Sequence, residues 1–286
     1  MHAKVISFIN KKGGVAKTTN AHIIGRELAK DSKVLMIDCD EQASLTSLYD
    51  LESFYEKDAI SKHLETDSTL QIFSGIKVTP LDITDLAKEN IYFPLKELHL
   101  VPAPESVNSG LNDAVDGNSS NLMKLKSYIK GIRSEYDYII IDSLPSFNGL
   151  FNSILHASDI LVMPVQTLSL SLDAANKFII NLNSVAEDFE KKFDKIFILP
   201  TMHEQQLIDS KESYGELCTT FVQAIRSFEH LGQFEVEVLP PIPKRAVFSK
   251  AQSYRIFVQD YIEMYEKKQR GNLAIFEKIA DKIRKA

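Results

Sequence analysis

Nothing constrains this chain more than the run Lys11-Lys12-Gly13-Gly14-Val15-Ala16-Lys17-Thr18-Thr19. It follows an apolar stretch, Val5-Ile6-Ser7-Phe8-Ile9, and leads into a helix-compatible segment beginning Asn20-Ala21-His22-Ile23-Ile24. A strand, a glycine turn and a helix in that order make a phosphate-binding loop. The glycines let backbone N–H groups converge on an anion, and the helix starting near Lys17 adds its positive dipole end. In such a loop Lys17 reaches the β- and γ-phosphates of a nucleotide, and the Thr18 hydroxyl is placed to ligate Mg²⁺. The competing reading, a lysine-glycine turn with no ligand, does not account for the flanking strand and helix.

Two carboxylate elements follow. Val34-Leu35-Met36-Ile37 runs into Asp38-Cys39-Asp40-Glu41-Gln42, and Tyr138-Ile139-Ile140-Ile141 runs into Asp142. Carboxylates at the C-terminal ends of buried strands point into the ligand crevice of an open α/β sheet. Asp38 and Asp40 share one side if the strand continues. Asp40 could equally cap a helix over 42–48. Asp142 is suited to the shell of a hard cation, most often through water.

These residues resemble the ParA/MinD family of ATPases. The loop is similar to its K-G-G-x-x-K-[ST]-T motif, with Lys11 and Ala16 where the common G-x-x-x-x-G-K-[ST] pattern has glycines. The Asp38 segment resembles the family's D-x-D-P-Q switch with Glu41 in place of proline. Ser143-Leu144-Pro145-Ser146 resembles the segment after the Walker B aspartate, with Leu144 in place of a proline. Ala157-Ser158-Asp159, Pro164-Val165-Gln166, Pro241-Ile242-Pro243-Lys244 and Ala251-Gln252-Ser253-Tyr254 match further landmarks. The resemblance spans nearly the whole chain and is weakest at 50–95. It is nearest to the small, chromosomal-type and plasmid type Ib ParA proteins.

The resemblance implies a Mg²⁺-dependent ATPase. Lys11 through Thr19 would cradle the nucleotide, with Lys12 reaching a partner subunit's nucleotide and Lys17 binding in its own. Asp40 would position water, Thr18, Asp38 and Asp142 would surround Mg²⁺, and Thr201, Met202, Pro241 and Pro243 would border the base. Alanine at position 16 is expected to be tolerated, because alanine can adopt right-handed angles, whereas a need for positive φ there would weaken nucleotide binding. The implied function is DNA partition: an ATP-dependent homodimer binds nonspecific DNA, and a ParB-like partner stimulates slow hydrolysis. The implied location is cytoplasmic and nucleoid-associated.

Composition narrows the alternatives. The two cysteines, Cys39 and Cys218, have no metal-ligand spacing, which argues against a cluster-carrying relative. No apolar stretch approaches the ~20 residues of a membrane span, and Met1-His2-Ala3-Lys4 leads directly to the first strand, so neither a signal peptide nor an N-terminal helix-turn-helix is expected. A net charge of −6 hides an asymmetry, because residues 241–286 carry eleven Lys/Arg against five Asp/Glu. A basic segment on an acidic body suits a polyanion, although a solvated helix face would look the same. The family's DNA-contacting arginine positions fall on Gln205-Gln206 and Val247, leaving Lys244, Arg245, Lys250, Lys267, Lys268 and Arg270 as candidate contacts. A MinD-like membrane ATPase is the alternative, resting on an apolar stripe at Leu273, Phe276, Ala280 and Ile283. A membrane partner is not expected, because such a stripe commonly packs on a domain. A nucleotide-binding scaffold without turnover is a further alternative, left open by Ala16, Glu41 and Leu144.

The expected architecture is a doubly wound, mostly parallel α/β sheet in one domain over 1–286, elaborated at about 50–95. Strands are expected at Val5–Ile9, Val34–Ile37, Leu98–Val101, Tyr138–Ile141, Ile160–Val165, Ile196–Leu199 and Val236–Leu239. Helices are expected near 18–30, 57–64, 82–89, 121–134, 170–186, 209–228 and 271–285, with a loop or ragged helix start over Asn108–Ser120.

Overall fold

Strands rich in consecutive apolar residues must be covered on both faces, and the computed structural model, which describes residues 2–87, 94–104, 110–116, 119–253 and 257–286, shows how. Strands β1 (Lys4–Phe8), β2 (Lys33–Cys39), β3 (Leu81–Asp82), β4 (Glu97–Val101), β5 (Tyr138–Ser143), β6 (Ile160–Gln166), β7 (Lys195–Thr201) and β8 (Glu235–Val238) form one sheet. Their order is β3-β4-β2-β5-β1-β6-β7-β8. Every pairing is parallel except that of β3 with β4.

Because strand side chains alternate, parity sorts the core into two layers. Val5, Leu35, Ile37, Ile139, Ile141 and Ile196 face one way, beneath the helices Lys124–Ile132, Gly149–Ala157 and Ser169–Asp188. Ile6, Phe8, Val34, Met36, Ile140 and Phe197 face the other, beneath helix α1 (Lys17–Ala29) and the C-terminal helix Ala274–Lys285. Gly25 lets α1 sit close to the sheet: a Cβ there would lie 3.1 Å from Met36 Cε.

The seven expected strands are present, and β3 adds an antiparallel edge. The segment expected as one helix over 209–228 is Ile208–Glu216, a π-helical turn Leu217–Phe221 and Val222–Ser227 in succession. Helices Gly149–Ala157, Ala246–Ser253 and Val258–Tyr265 were not anticipated. The first had a local signal, since Asn148 Oδ1 accepts the Phe151 N–H at 3.0 Å as an N-cap. In the region 50–95 the expected helix is Lys57–Thr66, and Asp85–Ala87 is a 3₁₀ turn. Residues 88–89 of the other expected helix lie outside the described residues. The Asn108–Ser120 segment contains helix Leu111–Asp116, while 108–109 and 117–118 lie outside the described residues.

The stripe on the C-terminal helix is core. Phe276, Ile279, Ala280 and Ile283 are buried, and Arg284 ties the helix to α1 through a hydrogen bond to the Glu27 carbonyl at 3.1 Å. That apolar face is therefore covered by the protein's own sheet layer. No helix among the described residues is long and apolar enough to cross a membrane.

Candidate functional site

The loop between β1 and α1 sits at the C-terminal end of the central strand. Asn10 anchors it at both ends of its side chain: Nδ2 donates to the Pro164 carbonyl at 2.7 Å and Oδ1 accepts the Lys12 N–H at 2.9 Å. Gln166, at the end of β6, donates from Nε2 to the Gly14 carbonyl at 2.9 Å. Thr201, at the end of β7, donates to the Val15 carbonyl at 3.2 Å. The neighbouring strand ends thus hold the backbone of residues 10–16 in place. Gly13 and Gly14 are exposed, with no atom within 4 Å of where a Cβ would stand, so this stretch of the loop is open to a ligand.

Ala16 departs from expectation. Its backbone lies at φ 67, ψ 35, in the left-handed region, and it is the N-cap of α1 without a side-chain cap. Left-handed geometry disfavours any residue with a Cβ, by roughly 1–2 kcal/mol. The right-handed expectation fails because the chain must reverse at this residue to turn the first N–H groups of α1 back toward the loop.

Lys17, the first residue of α1, is buried, and its pKa is lowered by desolvation, against which the Asp142 and Asp40 carboxylates act. Its ammonium lies 3.5 Å from the Lys12 carbonyl, at the limit of a hydrogen bond. Asp38 and Asp142 are register partners on adjacent parallel strands, so their carboxylates emerge side by side. Their surroundings differ. Asp38 Oδ2 accepts both the N–H and the hydroxyl of Thr46 at 2.8 Å, and Oδ1 accepts the Asp40 N–H at 3.2 Å. Burial still raises Asp38 to about 6. Asp142 is fully buried with both oxygens lacking a hydrogen-bond partner among the described residues, and its pKa is pushed well up by burial and then by Asp38. The Thr18 hydroxyl faces it and favours the charged form, although the geometry falls short of a hydrogen bond. Two bare, buried carboxylate oxygens beside a threonine hydroxyl are a donor set that suits a hard divalent cation such as Mg²⁺.

Asp40 lies just beyond β2. Its Oδ1 accepts the Gln42 N–H at 3.0 Å and its carbonyl accepts the Ala43 N–H at 2.8 Å, a tight turn with Ala43 at φ 50. It caps this turn; the only helical element over 42–48 is the 3₁₀ turn Thr46–Leu48.

A cleft of about 180 Å³ opens beside the loop, lined by Ala16, Thr19, Asn20, Ile23, Thr201, Met202, Ile242, Pro243, Lys244, Arg245, Phe248 and Phe276. It brings Thr201, Met202 and Pro243 together, and Pro241 is not among its lining residues. Asn20 and Phe248 were given no site role from sequence, and Phe276 was read only as part of the C-terminal apolar stripe. Their contribution depends on α1, helix Ala246–Ser253 and helix Ala274–Lys285 meeting in space, which no local spacing reveals.

Lys11 is exposed and packs over the Phe147 ring at 5.6 Å. Among the candidate cations, Lys244 pairs with Glu204 at 2.9 Å, Lys250 with Glu266 at 3.2 Å, and Arg270 with Glu263. Arg245, Lys267 and Lys268 are exposed and have no ion pair among the described residues. Val247, at one expected arginine position, is core at 1% exposure.

Comparison with known proteins agrees with this geometry. A family model described as an AAA domain matches residues 3–195. The sporulation initiation inhibitor protein Soj of Bacillus subtilis is 31% identical over 177 residues, 62% of this chain and 63% of its own length. The chain thus spans somewhat less than two thirds of that relative. The chromosome partitioning protein ParA of Myxococcus xanthus is 25% identical over 252 residues, 88% of this chain and 79% of its own. A Borrelia burgdorferi B31 structure, assigned to plasmid partition and bound to AMPPNP, superposes with a TM-score of 0.67 at 20% identity, covering 96% of this chain and 98% of its own. At that identity the likeness speaks to fold. With the loop, the paired strand-end carboxylates and the sheet order in place, the chain belongs to this AAA-domain family, as a ParA/MinD-like P-loop ATPase.

Proposed function

We propose that this protein, acting as one domain over 1–286, is an ATP-dependent DNA-partition ATPase. One observation carries the nucleotide chemistry: the bare Asp142 carboxylate, buried beside Lys17 and Thr18 at the end of the phosphate loop. Phosphoryl transfer to water needs positioned charge more than covalent chemistry, and these residues supply it. Residues 11–19 wrap the phosphates, with Lys17 on the β- and γ-phosphates. Thr18 and Asp142 would hold Mg²⁺ with Asp38 supporting them, and Asp38 Oδ1 also braces the Asp40 turn by accepting the Asp40 N–H. When bound, Mg²⁺ neutralises charge on the phosphate oxygens. Asp40 orients the attacking water, and Thr201, Met202 and Pro243, which line the cleft, border the base. Lys12 reaches the nucleotide of a second copy.

The partition role is supported by the names of the relatives and by the exposed cations Arg245, Lys267 and Lys268. The ATP-bound dimer binds nonspecific DNA in the cytoplasm, on the nucleoid, and a ParB-like protein stimulates its slow hydrolysis. Because Lys244, Lys250 and Arg270 are paired within the chain, they contribute less to a phosphate surface than the three exposed cations.

The test is binding to a random-sequence duplex with ATP, ADP or no nucleotide across a salt series. ATP-dependent binding that weakens steeply with salt is expected, because each neutralised phosphate releases counterions. Lys17→Ala should lose both nucleotide and duplex binding. No duplex binding in any state, with ATP-dependent dimers intact, would refute the DNA role. Sedimentation with liposomes and ATP would then test the membrane alternative.

A further inference from the structure

The side chain of Lys12 is already engaged within its own chain. Its ammonium donates to Ser171 Oγ at 2.6 Å and to Gln166 Oε1 at 3.3 Å. Ser171 Oγ in turn donates to Gln166 Oε1 at 3.2 Å, which closes a three-membered ring of contacts. Ser171 is buried near the start of helix Ser169–Asp188, so its hydroxyl is held by the fold. Gln166 is a junction: its Nε2 donates to the Gly14 carbonyl and lies 3.1 Å from Met202 Sδ, which lines the apolar cleft. One amide thus touches the phosphate loop, the wall of the cleft and the lysine.

We propose that Ser171 and Gln166 form an intramolecular clasp that parks Lys12 against its own chain and must open before a second copy of the chain closes over the nucleotide. The proposal rests on the dimer reading above. With two of its three N–H donors held on Gln166 and Ser171 of its own chain, the Lys12 ammonium is drawn away from a neighbouring subunit until those contacts are released. Gln166 is the positioning residue that connects the clasp to the site, since a ligand moving the Gly14 carbonyl or Met202 also moves the Lys12 acceptor. A subunit is competent to dimerise only when its clasp is open. The competent fraction enters once for each subunit, so a fivefold larger fraction lowers the dimer dissociation constant by about 25-fold.

Two readouts on the whole 286-residue chain test this. The first is pulse acylation of lysine amines without nucleotide, resolved residue by residue by mass spectrometry, with exposed Lys11 as internal reference. Lys12 should label about fivefold more slowly than Lys11, in line with hydrogen bonds to a charged group that is partly solvated. Ser171→Ala should close that gap. The second is the protein concentration at which ATP drives half-dimerisation. Ser171→Ala should lower it about 25-fold with the ATP affinity of the monomer unchanged, whereas a merely structural serine would weaken ATP binding or leave dimerisation where it was. Equal labelling of Lys12 and Lys11 in the unaltered protein, or unchanged or weaker dimerisation of Ser171→Ala, would overturn the proposal. Slow labelling relieved by Ser171→Ala, but with no ATP-dependent dimer in either protein, would confirm the parked lysine and overturn the dimer reading on which its gating role depends.

Discussion

Replacing Ala16 by glycine should make the protein more stable. Ala16 holds φ 67 and ψ 35 at the N-cap of α1, with no side-chain oxygen to cap the helix. The left-handed conformation costs a Cβ-bearing residue about 1–2 kcal/mol, and glycine avoids that cost. Glycine gives back about 0.5–1 kcal/mol through the larger entropy of its unfolded chain. At an N-cap glycine is also preferred over alanine. The net gain is about 0.5–1 kcal/mol, which for a chain of this size raises the melting midpoint by about 1–3 °C. Calorimetry without nucleotide reads it directly. Ala16→Val is the counter-probe, because a β-branched residue is rarely tolerated at positive φ, and its midpoint should fall by several degrees. ATP binding should be kept or improved in the glycine variant, since Ala16 lines the cleft and the substitution removes a methyl group there. A lower midpoint for Ala16→Gly, or an unchanged one for Ala16→Val, would refute the strained-backbone account.

Other expectations concern the buried polar groups. Arg26 and Asp260 are both fully buried and 2.8 Å apart, so Arg26→Met alone should cost about 3–5 kcal/mol, and the double variant Arg26→Met/Asp260→Leu less than the sum of the singles. Denaturant unfolding of the four proteins measures the coupling, and simple additivity would argue that the pair is not a unit. Thr46→Val removes the hydroxyl that donates to Asp38 and accepts the Ala103 N–H at 2.9 Å, which should destabilise by about 2–3 kcal/mol. Unfolding at the same urea midpoint would contradict that account. Asp142→Asn should stabilise the Mg²⁺-free protein at neutral pH by about 1 kcal/mol or more, because it removes the cost of burying a carboxyl that is ionised in the unfolded chain and whose pKa burial raises. The same change should abolish the Mg²⁺-dependent gain in ATP affinity seen by titration calorimetry, and a preserved gain would remove Asp142 from the metal site.

Much of the site was legible because its signals are local. Apolar runs marked seven of the eight strands, and the missed β3 is only Leu81–Asp82, too short to carry a pattern. Each carboxylate was recognised as the end of such a run, which is enough to place it at the crevice of a parallel sheet. The distribution of charge misled in one respect. The C-terminal segment is basic in composition, yet Lys250 and Arg270 pair with Glu266 and Glu263 in that same segment, and Lys282 pairs with Glu237. Composition counts cations without showing which are already neutralised by neighbours.

By itself the sequence determined that a strand, a glycine loop and a helix occur in succession, that two more strands end in aspartate, and that alternating apolar segments build a layered α/β protein. Those follow from spacing and periodicity, which act over a few residues. Tertiary structure decided what those residues then meet. It set Asp38 beside Asp142 through strand register, filled the Asp38 carboxylate with Thr46 while leaving Asp142 bare, and turned Ala16 left-handed. It also joined Arg26 to Asp260 and Lys12 to Ser171, pairs separated by 234 and 159 positions in the chain. Contacts of that range depend on how whole elements pack against the sheet, and no short window of sequence encodes their geometry.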